Sequence, residues 1–273
     1  MDNKHKKLVK KILNTYPTYK LFRILFKALS RYRTWRECNK NYEVPIDPLK
    51  LLWISPEEVK RKVKPPFYSR LRLSSDIMGG EWDKENIYRF GKNSENHIWK
   101  SLRLRFEENK KWEETPVYSS AMQKIEKGKR HWHKCKTEKE IKLRLKKIEK
   151  IYEDIKKEGY KTQKEIIKKK EYFPGRAKFI PPELNEVMVN IDREGNFLFD
   201  DGIHRLTMAK ILDVEKIPVR VLVRHEKWQK LREEIHKAES IEELSKKARK
   251  NLEHPDVQDI IPEEIKKEIK QIN

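Results

Sequence analysis

The run Asp200 to Arg205, with the sequence Asp-Asp-Gly-Ile-His-Arg, combines residue types that suit phosphate binding. Gly202 permits a tight turn in which the backbone approaches a ligand without a side chain in the way. A helix is predicted directly after it, and the unpaired amides of a helix start attract anions. His204 and Arg205 add a donor and a fixed cation in the first turn, where a cation opposes the helix dipole. An anion between them resolves that conflict, so we interpret the run as a phosphate-binding loop.

The same residues also allow a purely structural interpretation. Asp201 can cap the helix while Arg205 pairs with Asp200, and no ligand is then needed. The residue types alone do not separate the two interpretations, and both place the run in a tight turn between a strand and a helix.

The flanking sequence predicts the elements that position this loop. A strand over Val187 to Ile191, a hairpin turn over Asp192 to Asn196 and a strand over Phe197 to Phe199 precede it. A short helix over residues 204–213 and a strand over 217–224 come after it.

Upstream of these elements, the sequence predicts a short strand and several helices. The predictions are a strand over Leu51 to Ile54, a helix start at Ser55, helices over 97–111 and 115–128, and a long amphipathic helix that begins at a Thr137 capping box and ends at Gly159. A second capping box is expected at Ser240.

The pattern around the loop resembles the ParB/sulfiredoxin fold, whose signature is a strand, a Gly-containing loop ending in His-Arg or Arg-Arg, a helix, and a strand with Ile-Pro-Val. The matching residues are Val189-Asn190-Ile191, Gly195, Phe197 to Phe199, Asp201 to Leu206, Ala209 and Ile217 to Val221. Glu158 to Gln163 is similar to the end of the preceding helix of that fold, and Leu51 to Asp83 to its first strand and ligand loop, with long insertions. The chain also resembles uncharacterised archaeal ParB-like proteins.

The branches of this fold share nucleotide binding at the loop and differ in the loop sequence and in the domains attached to it. In the sulfiredoxin branch a Cys stands between Gly and His, and Ile203 in that place excludes thiol chemistry here. In the ParB branch a helix-turn-helix domain comes next, whereas the residues after His225 show no convincing one. A third branch contains small-molecule kinases with an Asp-Gly-x-His-Arg loop, which Asp201 to Arg205 matches.

The resemblance implies a set of site residues. The phosphates would contact Gly202, Ile203, His204, Arg205 and Gln163. A carboxylate would orient the acceptor hydroxyl and Mg²⁺, and the candidates are Glu81, Asp83, Asp200 and Asp201, with Glu81 preferred as the base because its loop belongs at the site. The alternative for Glu81 to Asp83 is a packed Trp82 between solvent-exposed carboxylates. Further anion contacts are expected from Arg220, Arg224 and His225, which otherwise form a solvated strand face.

The positive charge is concentrated in two blocks. The formal net charge is +21; residues 1–50 hold 13 Lys/Arg against 4 Asp/Glu, and residues 124–170 hold 19 against 8. Such blocks attract nucleic acid, an anionic membrane surface or phosphorylated small molecules. Alternatively, they are solvated helix faces of a Lys/Glu-rich protein.

The first block contains a predicted basic amphipathic helix over residues 7–33, interrupted near Pro17. Its apolar stripe is formed by Leu21, Phe22, Leu25, Phe26 and Leu29. The stripe is expected to dock on the domain, with membrane or nucleic-acid contact as the alternative.

The remaining composition indicates a cytoplasmic protein. Only Cys38 and Cys135 occur, without metal-ligand spacing, and neither a signal peptide nor a membrane-spanning apolar run is visible. His131 and His133 beside Cys135 have suitable donor atoms but no fourth ligand, so no metal site is predicted.

Together these observations predict an α+β protein. A basic helical extension covers 1–47, a ParB/sulfiredoxin-like domain with a helical insertion over 84–136 covers 48–225, and a helical tail covers 226–273. The expected function is nucleotide binding with Mg²⁺, in an ATP/ADP-dependent phosphotransferase acting on a small hydroxyl-bearing substrate or in a nucleotide hydrolase. The alternative is a ParB-like, nucleotide-gated DNA-binding protein.

Overall fold

In a computed structural model, the chain is described over residues 16–63, 73–84, 87–90, 96–129, 135–169 and 180–272. These residues combine helices with one mixed β-sheet, which is consistent with the expected α+β class. The strands are β1 (Leu51–Ile54), β2 (Arg61–Val63), β3 (Asp76–Met78), β4 (Ile87–Arg89), β5 (Val187–Ile191), β6 (Phe197–Asp201) and β7 (Ile217–His225). The helices are α1 (Tyr16–Glu37), α2 (His97–Phe106), α3 (Pro116–Glu126), α4 (Glu138–Glu158), α5 (Gln163–Lys169), α6 (Ile203–Ile211), α7 (Glu226–Lys237), α8 (Lys246–Lys250) and α9 (Glu263–Ile272).

The sheet is built around β7, all nine residues of which are buried. On one side β7 pairs in parallel with β5; on the other it pairs antiparallel with β1 and in parallel with β3. The order is β1-β7-β5-β6-β2-β4, with β3 beside β7. The β-branched run in Ile217 to Val223 explains this central position, because such residues pack well on both faces of a covered strand.

The hairpin between β5 and β6 is confirmed where the sequence predicts it. The Asp192 carboxylate accepts hydrogen bonds from the amides of Glu194 (2.9 Å) and Asn196 (2.8 Å), which holds the turn closed. Gly195 has φ +90°, and a Cβ there would lie 2.6 Å from the Trp228 ring. The turn therefore requires glycine both for its backbone conformation and for packing.

The main core joins the sheet to the C-terminal helices. Val189 and Val219 of the sheet share one buried cluster with Trp228, Leu252 and Ile265. The segment expected as a helical tail thus packs against the sheet and completes its core.

A second core lies under the helical insertion. Leu102 of α2, Ala121 of α3 and Leu145 of α4 cluster with Met208 of α6. Because Met208 belongs to the helix directly after the predicted phosphate loop, this cluster fixes one side of α6.

The long helix α4 begins and ends as predicted. The Thr137 hydroxyl accepts from the Glu140 amide at 3.3 Å, and the Glu140 carboxylate accepts from the Thr137 amide at 3.2 Å, which is a complete capping box. Gly159, with φ +76°, ends the helix.

Several local predictions are wrong. The three-residue strands β2, β3 and β4 were not expected. The capping box at Ser55 is present, but it opens only a single 3-10 turn. The box expected at Ser240 is absent, since its side chain accepts no capping hydrogen bond and one 3-10 turn comes after it. Residues 7–15 of the predicted N-terminal helix, and His131 and His133, lie outside the described residues.

Helix α1 docks on the domain, but not through the leucines of its predicted apolar stripe. Ser30 and Thr34 are fully buried, whereas Leu21 and Leu25 are 56% and 54% exposed. Phe22 and Phe26 of the predicted stripe are half-buried. The expected docking face is therefore wrong for its leucines, and the fully buried anchors of the helix are polar. Within the described part of the chain, no helix is both long and apolar enough to cross a membrane.

A buried charge network ties the C-terminal segment to β7. Arg224 donates to both carboxylate oxygens of Asp256, at 2.9 and 2.6 Å. The Trp228 indole donates to the same carboxylate at 2.9 Å, and Arg232 lies 3.4 Å from it. Burial opposes ionisation of Asp256, but Arg224 and Arg232 hold its pKa far below its usual range.

We expect Asp256→Asn to lower the free energy of unfolding by about 3–5 kcal/mol at neutral pH, because it leaves two buried arginines without a counter-charge. The folded-state pKa of Asp256 lies below that of the unfolded chain, so its contribution is present above about pH 4 and is lost as the pH falls further. Urea denaturation across this pH range measures both effects.

The matched control is Asp259→Asn. Asp259 forms an exposed ion pair with Lys50, so its substitution is expected to cost less than about 1 kcal/mol. Equal losses in the two variants would contradict the role given to Asp256.

Candidate phosphate-binding site at the start of α6

The predicted phosphate loop joins β6 directly to α6. Gly202 has φ +94° and ψ +27°, the left-handed conformation, and it forms the N-cap of α6. A Cβ at this position would lie 3.1 Å from the Cα of Val187 in the buried strand β5. Glycine is thus required twice, by the backbone conformation and by the close approach of two backbones.

The helix start has the arrangement expected of an anion site. The first backbone hydrogen bond of α6 runs from the Leu206 amide to the Gly202 carbonyl, at 3.1 Å. The preceding first-turn amides have no carbonyl one turn earlier within the helix, so they present donors and the positive end of the dipole. Ile203 packs its side chain against the main core and offers only its backbone here. His204 lies in the first turn, half-buried, and Asp201 shapes the turn by accepting from the Gly202 amide at 2.7 Å.

Arg205 is paired with a residue that the sequence did not point to. Its guanidinium donates to the Glu186 carboxylate at 2.9 Å and to the Asn185 carbonyl. Glu186 has a side chain only 1% exposed, whereas that of Arg205 is 20% exposed. The other oxygen of Glu186 accepts from the Gln163 amide at 2.6 Å.

This geometry answers the question that the sequence raised about Arg205. A cation at a helix start opposes the dipole, and Glu186 supplies a compensating negative charge from within the protein. The pairing with Asp200 considered from the sequence does not occur in the hydrogen bonds of Arg205. Gln163, 42 residues earlier in the chain, does lie at the loop, joined to Arg205 through Glu186.

Burial shapes the protonation of the groups around Arg205. It raises the pKa of Glu186 above its usual value, even though Arg205 and the Gln163 amide stabilise the charged form. It also raises the pKa of Tyr160 to about 12, with Arg205 acting in the opposite direction. Tyr160 therefore keeps its proton at neutral pH and remains a hydrogen-bond donor.

Two buried polar atoms in the segment just before Glu186 have no hydrogen-bond partner in the part of the chain that the structure describes. They are Glu183 Oε2 and Asn185 Nδ2. Buried polar atoms are nearly always satisfied in proteins, by the protein itself, by water or by a ligand. The bonding capacity of these two atoms is therefore available to water or to a ligand.

Asp200 and Arg220 belong to the interior of the sheet. Asp200 is buried and accepts from the Asn190 amide group at 3.1 Å. Arg220 is fully buried and donates to the carbonyls of Pro48 (2.8 Å) and Ser74 (2.6 Å). Burial lowers the pKa of Arg220 to about 10, with Asp200 acting against this shift. Arg220 thus holds backbone segments together and does not form the solvated face considered from the sequence.

Glu81 and Asp83 lie at the other end of the sheet from the phosphate loop. Their loop comes after β3, whose last residue Met78 pairs with His225 at the end of β7. Asp201, in contrast, pairs with Met188 of β5, which pairs with Arg220 near the start of β7. His225 lies five residues further along the strand than Arg220, which corresponds to a distance of about 16 Å. The structure therefore does not bring Glu81 or Asp83 to the loop that they were expected to complete.

The loop containing Glu81 is fixed by a second arginine. Arg193 donates to the Asp83 carboxylate at 2.6 Å and to Glu81 at 3.1 Å. Burial opposes ionisation of Asp83, but its hydrogen bonds from Arg193 hold its pKa below the usual value. Hydrogen bonds from Lys84 and Arg193 also lower the pKa of Glu81. A carboxylate with a lowered pKa is a weak base, which argues against Glu81 as the proton acceptor.

His225 is held in one tautomer by its own backbone contacts. Its Nδ1 accepts from the Lys227 amide at 3.0 Å, so Nε2 has the proton and donates to the Gly80 carbonyl at 2.9 Å. Arg224 is committed to Asp256 and Arg220 to backbone carbonyls, so the hydrogen bonds of Arg220, Arg224 and His225 do not support the anion contacts expected of them.

The sequence contains only a weak indication of Glu186 and Tyr160, the two residues near Arg205 that were not predicted from it. Glu186 is an acidic residue directly before the fully buried and mostly apolar strand β5, which is an unusual place for a charge. Tyr160 stands two residues after the end of α4, inside the segment that resembles the helix-to-Gln region.

Gly202→Ala tests the requirement for glycine at the loop. We expect it to reduce the free energy of unfolding by about 1–3 kcal/mol more than Gly128→Ala, measured by urea denaturation. Both glycines have positive φ, so both variants include the left-handed strain of about 1–2 kcal/mol. Only at Gly202 does the new Cβ also meet backbone, since nothing lies within 4 Å at Gly128. Equal losses would show that the contact with Val187 is unimportant.

Comparison of the chain with protein families, curated proteins and solved structures found no significant match. The support for a function therefore comes from the geometry of the site and from the resemblance in sequence.

Proposed function

We propose that this protein binds a nucleoside di- or triphosphate at the start of α6, within a domain of the ParB/sulfiredoxin-like fold. The observation that supports this most is the Gly202 turn beside Arg205, whose guanidinium is backed by the buried Glu186. A phosphate in this place would receive backbone donors, the helix dipole and one fixed cation.

The local architecture supports the fold assignment. The strand, hairpin, strand, helix and strand occur in the expected order as β5, β6, α6 and β7, with β5 and β7 parallel and adjacent. The placement of Gln163 beside Arg205 agrees with the role that the resemblance implies for the segment after α4.

The donor set fits the phosphate portion of a nucleotide. Arg205 keeps partial exposure while Glu186 orients it from the buried side, and a planar guanidinium suits phosphate geometry. Asn185 Nδ2 adds a donor whose bonding capacity the described residues do not use.

Phosphoryl transfer to a small hydroxyl-bearing substrate, or nucleotide hydrolysis, is the activity that we propose for this site. Such chemistry requires positioning and charge neutralisation more than covalent participation of the protein. Asp201 is the carboxylate that lies in the loop itself, and it is the residue proposed to hold Mg²⁺ together with the phosphates. Glu81 and Asp83 are left out of this role, because they lie at the far end of the sheet.

A nucleotide-gated DNA-binding protein is the second candidate, and helix α4 is the observation that favours it. Exposed lysines cover this helix, namely Lys139, Lys142, Lys146, Lys147, Lys150, Lys156 and Lys157. A row of cations on a rigid helix attracts a phosphate backbone without reading its sequence.

A thermal-shift experiment with ATP, ADP, CTP and GTP in the presence of Mg²⁺ tests nucleotide binding. At a concentration about 100 times Kd, binding adds about 2.7 kcal/mol, which raises the Tm of a chain of this size by about 5–10 °C. We expect the shift to disappear in the double variant Arg205→Gln with Glu186→Gln, which removes the cation without leaving a buried carboxylate unpaired.

The matched control is Arg105→Gln with Glu149→Gln, a partly buried pair at 2.9 Å that joins α2 to α4. This variant should keep the nucleotide shift. Absence of a shift with every nucleotide, or a full shift in the Arg205/Glu186 variant, would rule out the proposed site. Salt-dependent DNA binding that requires the nucleotide, is lost in the Arg205/Glu186 variant and is also lost when the α4 lysines are replaced would support the second candidate.

A further inference from the structure

Helix α1 is held to the domain by small and polar side chains. Ser30 and Thr34 are both 0% exposed, and the Thr34 hydroxyl accepts from the Ser75 amide at 3.0 Å. One turn later Cys38 is 2% exposed. These positions recur at intervals of four residues, so they form a single inward face along the helix.

Charged residues beside this face fix the rotation of α1 about its axis. Lys27 donates to Glu183 at 2.8 Å, and Arg31 donates to Asp47 at 2.9 Å. Both acceptors belong to the folded domain, one just before β5 and one just before β1. The orientation of the helix therefore does not depend on its aliphatic residues.

The opposite face of α1 exposes a continuous row of large apolar side chains, which we call the α1 stripe. Its members are Leu21 (56% exposed), Ile24 (64%), Leu25 (54%), Leu29 (36%), Tyr32 (56%) and Trp35 (55%). Their spacing of three and four residues places them on one side of the helix, over a length of about 21 Å. A surface helix normally buries such a stripe and exposes its polar side. In α1 the stripe is exposed to solvent, and small and polar residues face the domain.

The charge around the α1 stripe indicates what covers it. Helix α1 contains six Lys/Arg, at positions 20, 23, 27, 31, 33 and 36, against one acidic residue, Glu37, a net charge of +5. Exposed Lys20, Arg31 and Arg36 border the stripe. Arg36 pairs with the exposed carboxylate of Glu37, and pairs of this kind are weak enough to exchange with other anions.

The aromatic residues of the stripe lie together at its C-terminal end. The rings of Tyr32 and Trp35 are stacked with their centroids 6.3 Å apart, and both are exposed. Amphipathic rings of this kind are enriched at the boundary between lipid headgroups and acyl chains.

We propose that the α1 stripe binds the surface of an anionic lipid bilayer, with the helix lying in the plane of the interface. Aliphatic side chains enter the acyl region, the aromatic pair lies at headgroup level, and the bordering cations meet lipid phosphates and carboxylates. This interaction is separate from the nucleotide site, since the stripe faces away from the domain.

The charge of α1 and the side-chain chemistry of the stripe argue against a second copy of the chain or nucleic acid as the partner that covers it. Pairing two copies through the stripe would bring together two helices of net charge +5, which repel each other. Nucleic acid requires donors and cations at the outermost positions, whereas the outermost row here is mainly aliphatic.

Flotation of the full chain with lipid vesicles tests the proposal. We expect binding to phosphatidylcholine vesicles containing about 30% phosphatidylserine at about 0.1 M salt, and little binding to phosphatidylcholine alone. The double variant Ile24→Gln with Leu25→Gln should weaken binding by at least about tenfold, because it removes two inserted side chains. These positions are exposed, so the variant should retain its helical circular dichroism and its Tm.

The matched control is Leu143→Gln with Ile151→Gln, which removes two exposed aliphatic residues (54% and 41%) from α4. This variant should bind like the unmodified chain. Equal weakening in the two variants, equal binding to both vesicle types, or no binding to either would overturn the proposal. Light scattering that shows a dimer, lost in the Ile24/Leu25 variant, would assign the stripe to contact between copies instead.

Discussion

The burial of charge in the central strand β7 is the constraint on which most of the structure depends. Arg220, Arg224 and His225 are at most 2% exposed, and an unpaired polar group in such a place is costly. Their partners are, in that order, the Pro48 and Ser74 carbonyls, the Asp256 carboxylate and the Gly80 carbonyl. These partners come from segments far apart in the sequence, so one strand fixes the paths of the linker before β1, the loop after β3 and the C-terminal segment.

The ion-paired arginines around the sheet differ in their access to water. The side chain of Arg224 is 3% exposed and that of Arg193 is 9% exposed, and each forms an ion pair with a buried aspartate. Arg205 is 20% exposed, while its partner Glu186 is almost completely buried behind it. The first two pairs are closed and serve the fold. In the Arg205–Glu186 pair, Glu186 fixes the orientation of the guanidinium while Arg205 stays partly exposed to solvent, as expected for a group that contacts a ligand.

The sequence predicted the elements that depend on local signals. The Thr137 capping box, the Asp192 to Asn196 turn and the Gly202 loop each depend on residues close together in the chain, and all three occur as predicted. The strands β2, β3 and β4 were missed because three residues are too few to show a period of two. Their stability comes from pairing with distant strands, which no local pattern reports.

Only some residues of the candidate site could be predicted from the sequence, because the others come together through contacts between distant parts of the chain. Gly202, Arg205 and Gln163 were found from the loop and from the resemblance, and the structure places them together. Glu186 was missed, because its role depends on burial behind Arg205. Glu81 was assigned to the loop although strand register puts it about five residues away along β7, and register is set by tertiary pairing.

The attachment of α1 to the domain through polar side chains has a consequence for handling the protein. Since Ser30, Thr34 and the Lys27–Glu183 bridge hold the helix, the aliphatic residues on its outer side contribute little to folding. This surface can be redesigned independently of the domain. Replacing it with hydrophilic residues should yield a more soluble form that keeps the same fold, which is suited to crystallisation with ligands at the α6 loop.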